Sequence, residues 1–108
     1  MSLASQYHAH IYFKPDQFAQ AAAIREAISN RFLVAAGKMH STPIGPHSRG
    51  MFQVIFSSSQ FGQIVPWLMF QRQSLSILVH PDTGEHLIDH TDRALWLGEQ
   101  LLINTGVF

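Results

Sequence analysis

The segment YHAHIYF at residues 7–13 alternates strictly between two kinds of side chain. Successive side chains of an extended strand point to opposite faces, so His8, His10 and Tyr12 share one face and the residues between them share the other. The aromatic and β-branched residues of this segment favour a strand. One face is therefore apolar enough for a core, while the other carries two imidazoles side by side.

The rest of the chain repeats this alternation between stretches with helical spacing. Residues 51–56 and 74–81 alternate like the first segment, and 33–41 is a further extended segment before a Gly-Pro loop. Apolar residues at helical spacing predict helices over 17–31 and 59–72. The order β-α-β-β-α-β predicts an α+β, ferredoxin-like fold, with both helices on one face of an antiparallel sheet.

The C-terminal part predicts a short helix and a tail. Asp89 is suited to cap a helix over 90–97, and Gly98 is suited to end it. The remaining residues are expected to be extended or irregular. The 108 residues contain no internal repeat and fit one domain over 1–108.

The composition excludes several classes of function. Seven basic residues balance seven acidic ones, so no excess of positive charge predicts binding to nucleic acid or to an anionic membrane. The chain has no cysteine, which excludes disulfides and thiolate metal sites. No transmembrane run or signal-peptide pattern is present, which predicts a cytoplasmic protein. Charged residues make up only 13% of the chain, which favours a homodimer.

Histidine is the over-represented residue, with seven in the chain. In the predicted fold the first and last core strands are antiparallel neighbours, so His80 should lie near His8 and His10 on the face away from the helices. Neutral imidazole is the commonest protein ligand for first-row transition metals. Three such ligands leave coordination positions open, as catalytic metal sites require. His8, His10 and His80 are therefore the candidate metal ligands.

Other polar residues are candidates for supporting roles. Glu85 and Asp89 follow the His80 strand and are suited to complete the metal site or to orient a histidine. The simpler interpretation is a solvated turn residue for Glu85 and a helix cap for Asp89. Tyr12 and Gln53, on the histidine-bearing face, are candidate substrate-binding residues. Arg49 is suited to pair with a substrate carboxylate, or with a surface acid.

Six stretches together resemble the DOPA 4,5-dioxygenase family of small extradiol dioxygenases. They keep their order and spacing over nearly the whole chain: YHAHIYF (7–13), GPH (45–47), GMFQVIF (50–56), SLSILVHP (74–81), TG-E (83–85) and DHTDRALWLG (89–98). The family usually has a proline after GPH, where this chain has Ser48. The resemblance implies cleavage of a catechol such as DOPA by O2 with a non-haem Fe(II), although zinc or another divalent metal is compatible with imidazole ligands.

The resemblance also extends to particular histidines. The family's histidine positions that match are His8, His10, His47, His80 and His90. With His8, His10 and His80 as the ligands, the other two, His47 and His90, become the candidate catalytic acid–base or substrate-orienting groups. The open sheet face would need a cover, either a second subunit or the tail from 98 to 108.

Three other functions fit the same residues. The first is a dimeric ferredoxin-like module that binds a metal or a small aromatic molecule without cleaving a ring. The second is a cofactor-free, monooxygenase-like enzyme, which would bind no Fe(II) stoichiometrically. The third is a dimerisation domain with histidines buried at the subunit interface. Metal content and turnover of a catechol distinguish these from the dioxygenase.

Overall fold

The computed structural model of the chain describes residues 3–108. Two helices, α1 (Phe18–Arg31) and α2 (Phe61–Gln71), pack on one face of a five-stranded antiparallel sheet, and a short helix, α3 (His86–His90), follows the fourth strand. The strands are β1 (Gln6–Phe13), β2 (Ala35–Ala36), β3 (Gly50–Ser57), β4 (Ile77–Pro81) and β5 (Leu95–Leu97). They lie in the order β2-β3-β1-β4-β5, which confirms the ferredoxin-like arrangement of the four predicted strands. None of the helices within 3–108 is long and apolar enough to cross a membrane.

The main core lies between the sheet and the two long helices. Every second residue of β1, β3 and β4 points into it, as the alternation predicts. The sheet contributes Ala9, Ile11, Phe13, Phe52, Val54, Phe56, Ile77 and Val79, and the helices contribute Ala21, Ile24, Ile28, Ile64, Val65 and Leu68. Because these apolar side chains of the sheet pack against the helices, the alternating histidines of β1 must point to the opposite face of the sheet.

The pairing of β1 with both neighbours sets the positions of the histidines. β1 is antiparallel to β4, and its His8 lies directly opposite His80. On the other side, His10 lies opposite Gln53 of β3. The predicted proximity of the first and last core strands is therefore confirmed.

The predicted helix over 90–97 is wrong. Helix α3 ends at His90, and Leu95–Leu97 instead forms β5, which pairs with the outer edge of β4. Pairing explains the difference, because alternation sends Leu97 into the main core and Trp96 to the other face, whereas a helix would leave the edge of β4 unpaired. Asp89 lies inside α3, so it does not cap a helix start. Of the predicted strand 33–41, only Ala35–Ala36 pairs as a strand, with an isolated bridge between His40 and Met51.

The second face of the sheet is partly covered by the tail. Leu101 packs with Tyr12, Met51 and Leu78 in a second apolar cluster, which Ala94, Trp96 and Ile103 border. The backbone of Ile103 forms an antiparallel bridge with His47, which ties the tail to the Gly-Pro loop. The chain's own tail thus supplies one of the two covers that the sequence suggested.

Two adjacent leucines of the tail test this cover. Leu101 is buried, whereas Leu102 is 85% exposed. Replacing Leu101 with Ala is expected to lower the free energy of unfolding by about 2 kcal/mol or more, because buried leucines leave a cavity. Leu102→Ala should change it by less than about 0.5 kcal/mol. Urea denaturation of both variants measures the difference, and equal values would show that the tail does not pack on the sheet.

Candidate metal centre

Five histidines from four parts of the chain converge on the second face of the sheet; we call them the histidine cluster. His8 and His10 come from β1, His80 from β4, His47 from the Gly-Pro loop, and His90 from the end of α3. Neighbouring ring centroids are 4.3 Å apart for His10 and His47, 5.0 Å for His10 and His80, and 4.1 Å for His80 and His90. His10, His47 and His80 are buried, while His8 and His90 are half-buried. The cluster thus has a closed interior and a more accessible side.

The backbone around His80 determines which of its ring nitrogens is free. His80 Nδ1 lies 2.7 Å from the carbonyl oxygen of Pro81, and a carbonyl only accepts, so Nδ1 carries the proton and donates it. The other nitrogen of the neutral ring, Nε2, then presents a lone pair. It lies 2.9 Å from Nε2 of His10. A metal-binding histidine commonly has this arrangement, with one nitrogen held by a backbone carbonyl and the other free.

The remaining cluster histidines are oriented in related ways. His90 Nδ1 donates to the carbonyl oxygen of His86 at 2.7 Å, which leaves its Nε2 lone pair free. His47 Nδ1 and the hydroxyl of Tyr12 are hydrogen-bonded at 2.7 Å. His8 Nε2 lies 3.5 Å from a carboxylate oxygen of Asp82. Each ring except that of His10 therefore has a partner outside the cluster.

The nitrogens lie close enough together to be candidate ligands of a single ion. Two groups of three histidines bring one ligand atom from each residue within 4.8 Å of the others: His8, His10 and His80, and His10, His47 and His90. Two nitrogens that each bind an ion at about 2.1 Å lie about 3 Å apart when they meet it at a right angle. The 2.9 Å between the Nε2 atoms of His10 and His80 fits this spacing.

His10 is the member common to both groups, and it is incompletely hydrogen-bonded. If the neutral rings pair directly, His80 Nε2 accepts, so His10 Nε2 must donate and His10 Nδ1 is left as a bare acceptor. That Nδ1 is buried and has no hydrogen-bond partner. A buried polar atom without a partner is destabilising. The free Nε2 lone pairs of His80 and His90, together with the Nε2 atom of His10 at 2.9 Å from His80, give the cluster a donor set that fits a divalent metal.

Burial keeps the interior of the cluster neutral. It lowers the pKa of His47 and of His80 to about 4, in each case with repulsion from His90 acting in the same direction. The hydrogen bond to Pro81 opposes this effect at His80. Burial, followed by the nearby His47 and His80, lowers the pKa of His10 well below its usual value. At pH 7 these imidazoles are unprotonated, which is the form that binds metals.

The cluster contains the three histidines predicted as ligands, together with His47 and His90. His40 and His86 belong to neither ligand group. The role of each histidine remains a prediction, but all five are close enough to act on one bound molecule.

The candidate substrate-binding residues lie in different surroundings. Tyr12 is buried beneath the tail, with its hydroxyl on His47 and its ring stacked on Trp96. Burial raises the pKa of Tyr12, so its hydroxyl stays protonated. Gln53 is half-buried beside His10. Arg49 lies in the loop that carries His47, and its guanidinium is 3.8 Å from Glu99.

The two candidate carboxylates lie beside the cluster but in neither ligand group. Glu85 binds Arg93 at 3.2 Å. Asp89 is buried, and its two oxygens accept hydrogen bonds from Thr83 and Arg93. The sequence reading missed Asp82, the partner of His8. Its position directly after His80-Pro81 was the available signal, because histidines that bind metals commonly pair with a nearby carboxylate.

Comparisons with known proteins identify relatives of this chain. Residues 7–107 match the Dopa 4,5-dioxygenase family. A protein from Amanita muscaria named DOPA 4,5-dioxygenase is 33% identical over 108 residues, covering 92% of this chain and 47% of that protein. An uncharacterised 21.2 kDa protein from Botryotinia fuckeliana is 54% identical over 73 residues, covering 60% of this chain and 40% of its own length. This chain thus spans less than half the length of either relative.

A crystal structure gives a further similarity. A proposed dioxygenase from Nostoc punctiforme superposes with a TM-score of 0.94 at 45% sequence identity. The superposition covers 96% of this chain and 90% of that one. At this identity the two chains share the fold in detail.

The depressed pKa values predict a pH-dependent stability of the metal-free protein. His47 and His80 have a pKa of about 4 when folded and an ordinary value of 6.5 when unfolded. Between these values the unfolded chain binds more protons, so stability present above pH 6.5 is lost as pH falls towards 4. Urea denaturation in EDTA at pH 7.0, 5.5 and 4.5 measures this loss, and His47→Gln should reduce it. A free energy of unfolding that is constant from pH 7.0 to 4.5 would contradict the lowered pKa values of these two histidines.

Proposed function

The chain belongs to the Dopa 4,5-dioxygenase family, and from that premise we propose that it is an extradiol dioxygenase that opens a catechol such as DOPA with O2 and non-haem Fe(II). The name of the Amanita muscaria relative supports the substrate class. The description of the Nostoc punctiforme structure supports dioxygenase chemistry. The histidine cluster supports the use of a metal.

The observation that carries the proposal is the contact between His10 and His80. Their Nε2 atoms are 2.9 Å apart in a buried site, and the Pro81 carbonyl fixes the ring of His80. We assign the metal to these two residues and His8, which lies opposite His80 across β1 and β4. Three imidazoles leave positions for other ligands, as in catalytic sites.

The reaction breaks the ring carbon–carbon bond beside the diol and places both atoms of O2 in the product, so it needs no external reductant. Bound Fe(II) would supply the electron transfer between catechol and O2 that protein side chains do not provide. The protein's own residues orient the substrate, exclude water and move protons.

His90 is the candidate base for the catechol hydroxyl. Its Nδ1–H is committed to the carbonyl of His86, so its Nε2 lone pair is the atom that takes the proton and later returns it. The ring is half-buried and therefore accessible. The ring of Phe108 lies 4.8 Å from His90 and limits the access of water on that side.

We assign His47 a different role from that of His90. Its pKa of about 4 makes it too weak a base to hold a proton at pH 7. Its bond to Tyr12 fixes the ring, so it is suited to orient the substrate by hydrogen bonding. Gln53, beside His10, and Arg49, near His47, are the remaining candidate contacts, with Arg49 suited to the carboxylate of a substrate such as DOPA.

A homodimer is part of the proposal. Large apolar side chains outside the cluster are exposed, among them Phe70 of α2 and Leu33, at 87% and 94%. A second copy of the chain would cover such surface.

Reconstitution with Fe(II) tests the activity. The purified protein is stripped of metal, loaded anaerobically with Fe(II), and mixed with L-DOPA or catechol in air. We expect a yellow ring-opened product and equimolar O2 uptake with Fe(II), and none with Zn(II). His10→Ala should abolish both metal binding and product, whereas His40→Ala, a histidine in neither ligand group, should keep them.

Two further variants separate the roles of the histidines. His8→Ala should weaken metal binding, while His90→Ala should keep the metal and lower kcat by about 10²–10⁴-fold, the usual contribution of a general acid–base group. Loss of metal from His90→Ala with none from His8→Ala would assign the ligands to the other group. Stoichiometric metal binding with no ring opening of either substrate would favour the binding module over the enzyme.

A further inference from the structure

The connection between β4 and α3, with the residue at each of its ends, supplies the partners of three cluster histidines. Pro81 accepts from His80, Asp82 lies beside His8, and the carbonyl of His86 accepts from His90. All three partners lie within 81–86, which runs from the last residue of β4 through the turn to the first residue of α3. The orientation of the rings therefore depends on how firmly this turn is held.

Asp89 is the residue that holds the turn. Its side chain is 1% exposed. Its carboxylate accepts from the backbone N–H of Thr83 at 2.9 Å, from the Thr83 hydroxyl at 2.9 Å and from the Arg93 guanidinium at 3.0 Å. Both oxygens are engaged in these bonds. The carboxylate of Asp89 thus links α3 to the turn that precedes it.

The neighbours of Asp89 close this arrangement into a ring of bonds. Arg93 also donates to the Thr83 hydroxyl at 3.0 Å and to Glu85 at 3.2 Å. The backbone N–H of Asp89 donates to the Glu85 carbonyl at 2.9 Å. Burial disfavours the Asp89 anion, but the bonds from Thr83 and Arg93 outweigh burial and lower its pKa. A buried carboxylate with three donors is a strong local constraint.

We propose that Asp89 is a positioning residue of the histidine cluster, which acts by clamping the turn 81–85 onto α3. The carboxylate of Asp89 contacts no imidazole of the cluster. It fixes the segment that orients His80 and His8, and Asp89 itself directly precedes His90 in the sequence. This inference rests on the proposed use of a metal by the cluster, and it assigns Asp89 no ligand role.

The test compares Zn(II) affinity in the full-length chain, measured by competition with a chromogenic chelator. Asp89→Asn keeps the volume but replaces one acceptor oxygen with an NH2 group that faces the donors of the turn. We expect Zn(II) affinity to fall about 10–100-fold, the usual effect of losing a partner that orients a metal ligand. The d–d absorption spectrum of the Co(II)-loaded variant should also change, since the ligand geometry changes.

Two matched control variants test whether a loss of charge or a loss of stability, by itself, lowers Zn(II) affinity. Asp92→Asn removes the same charge from an exposed position close by and should leave Zn(II) affinity unchanged. Ile28→Val destabilises the main core by about 0.5–1.5 kcal/mol, away from the cluster, and should also leave the affinity unchanged. A fall in Asp89→Asn alone supports the positioning role.

A second variant decides the question if Asp89→Asn does not fold. Thr83→Val removes only the exposed hydroxyl partner and should lower Zn(II) affinity by a smaller factor. Equal Zn(II) affinity and an unchanged Co(II) spectrum in the folded variants would overturn the inference, as would a wild-type protein that binds no metal. Zn(II) binding by the wild type without ring opening by the Fe(II) form contradicts the proposed enzyme alone and leaves the Asp89 comparison valid.

Discussion

The antiparallel register of β1 and β4 is the constraint on which the rest of the site depends. It places His8 directly opposite His80 and leaves the alternate residues of both strands to the main core. A shift of one residue would send the histidines into that core and its apolar residues to the other face. The apolar packing under α1 and α2 therefore fixes the imidazole positions. The hydrophobic core thus determines where the groups of the site lie.

The sheet alone supplies three of the five imidazoles, and a loop and the short helix α3 supply the other two. The Gly-Pro loop brings His47, which is held by Tyr12 and by the bridge to Ile103. Helix α3 brings His90, and the carbonyls of Pro81 and His86, on either side of the turn, orient the rings of His80 and His90. A rigid sheet thus carries the proposed ligands, whereas the proposed acid–base group comes from a short helix beside a turn and the proposed orienting group comes from a loop. This division is common in enzymes, because loops vary while the scaffold keeps its geometry.

Periodicity in the sequence was sufficient for the strands and the histidine-bearing face, since alternation at His8, His10 and His80 is a local property with a direct structural consequence. It was not sufficient for residues 86–97. A five-residue helix carries too little periodicity to be located, and Leu95–Leu97 becomes a strand only because the edge of β4 is free to pair. Propensity is overridden there by tertiary pairing. Nor could the sequence show that Asp89 is bound to Thr83 and Arg93, since that depends on the fold of the turn.

The most direct test of the account is the position of a bound ion. Anomalous diffraction from crystals of the protein grown with Zn(II), recorded at the zinc edge, locates the metal without any assumption about activity. The account predicts one strong peak within bonding distance of Nε2 of His10 and Nε2 of His80, with His8 as the third ligand. No peak in the histidine cluster, or a peak bound by His47 and His90 without His80, would contradict it.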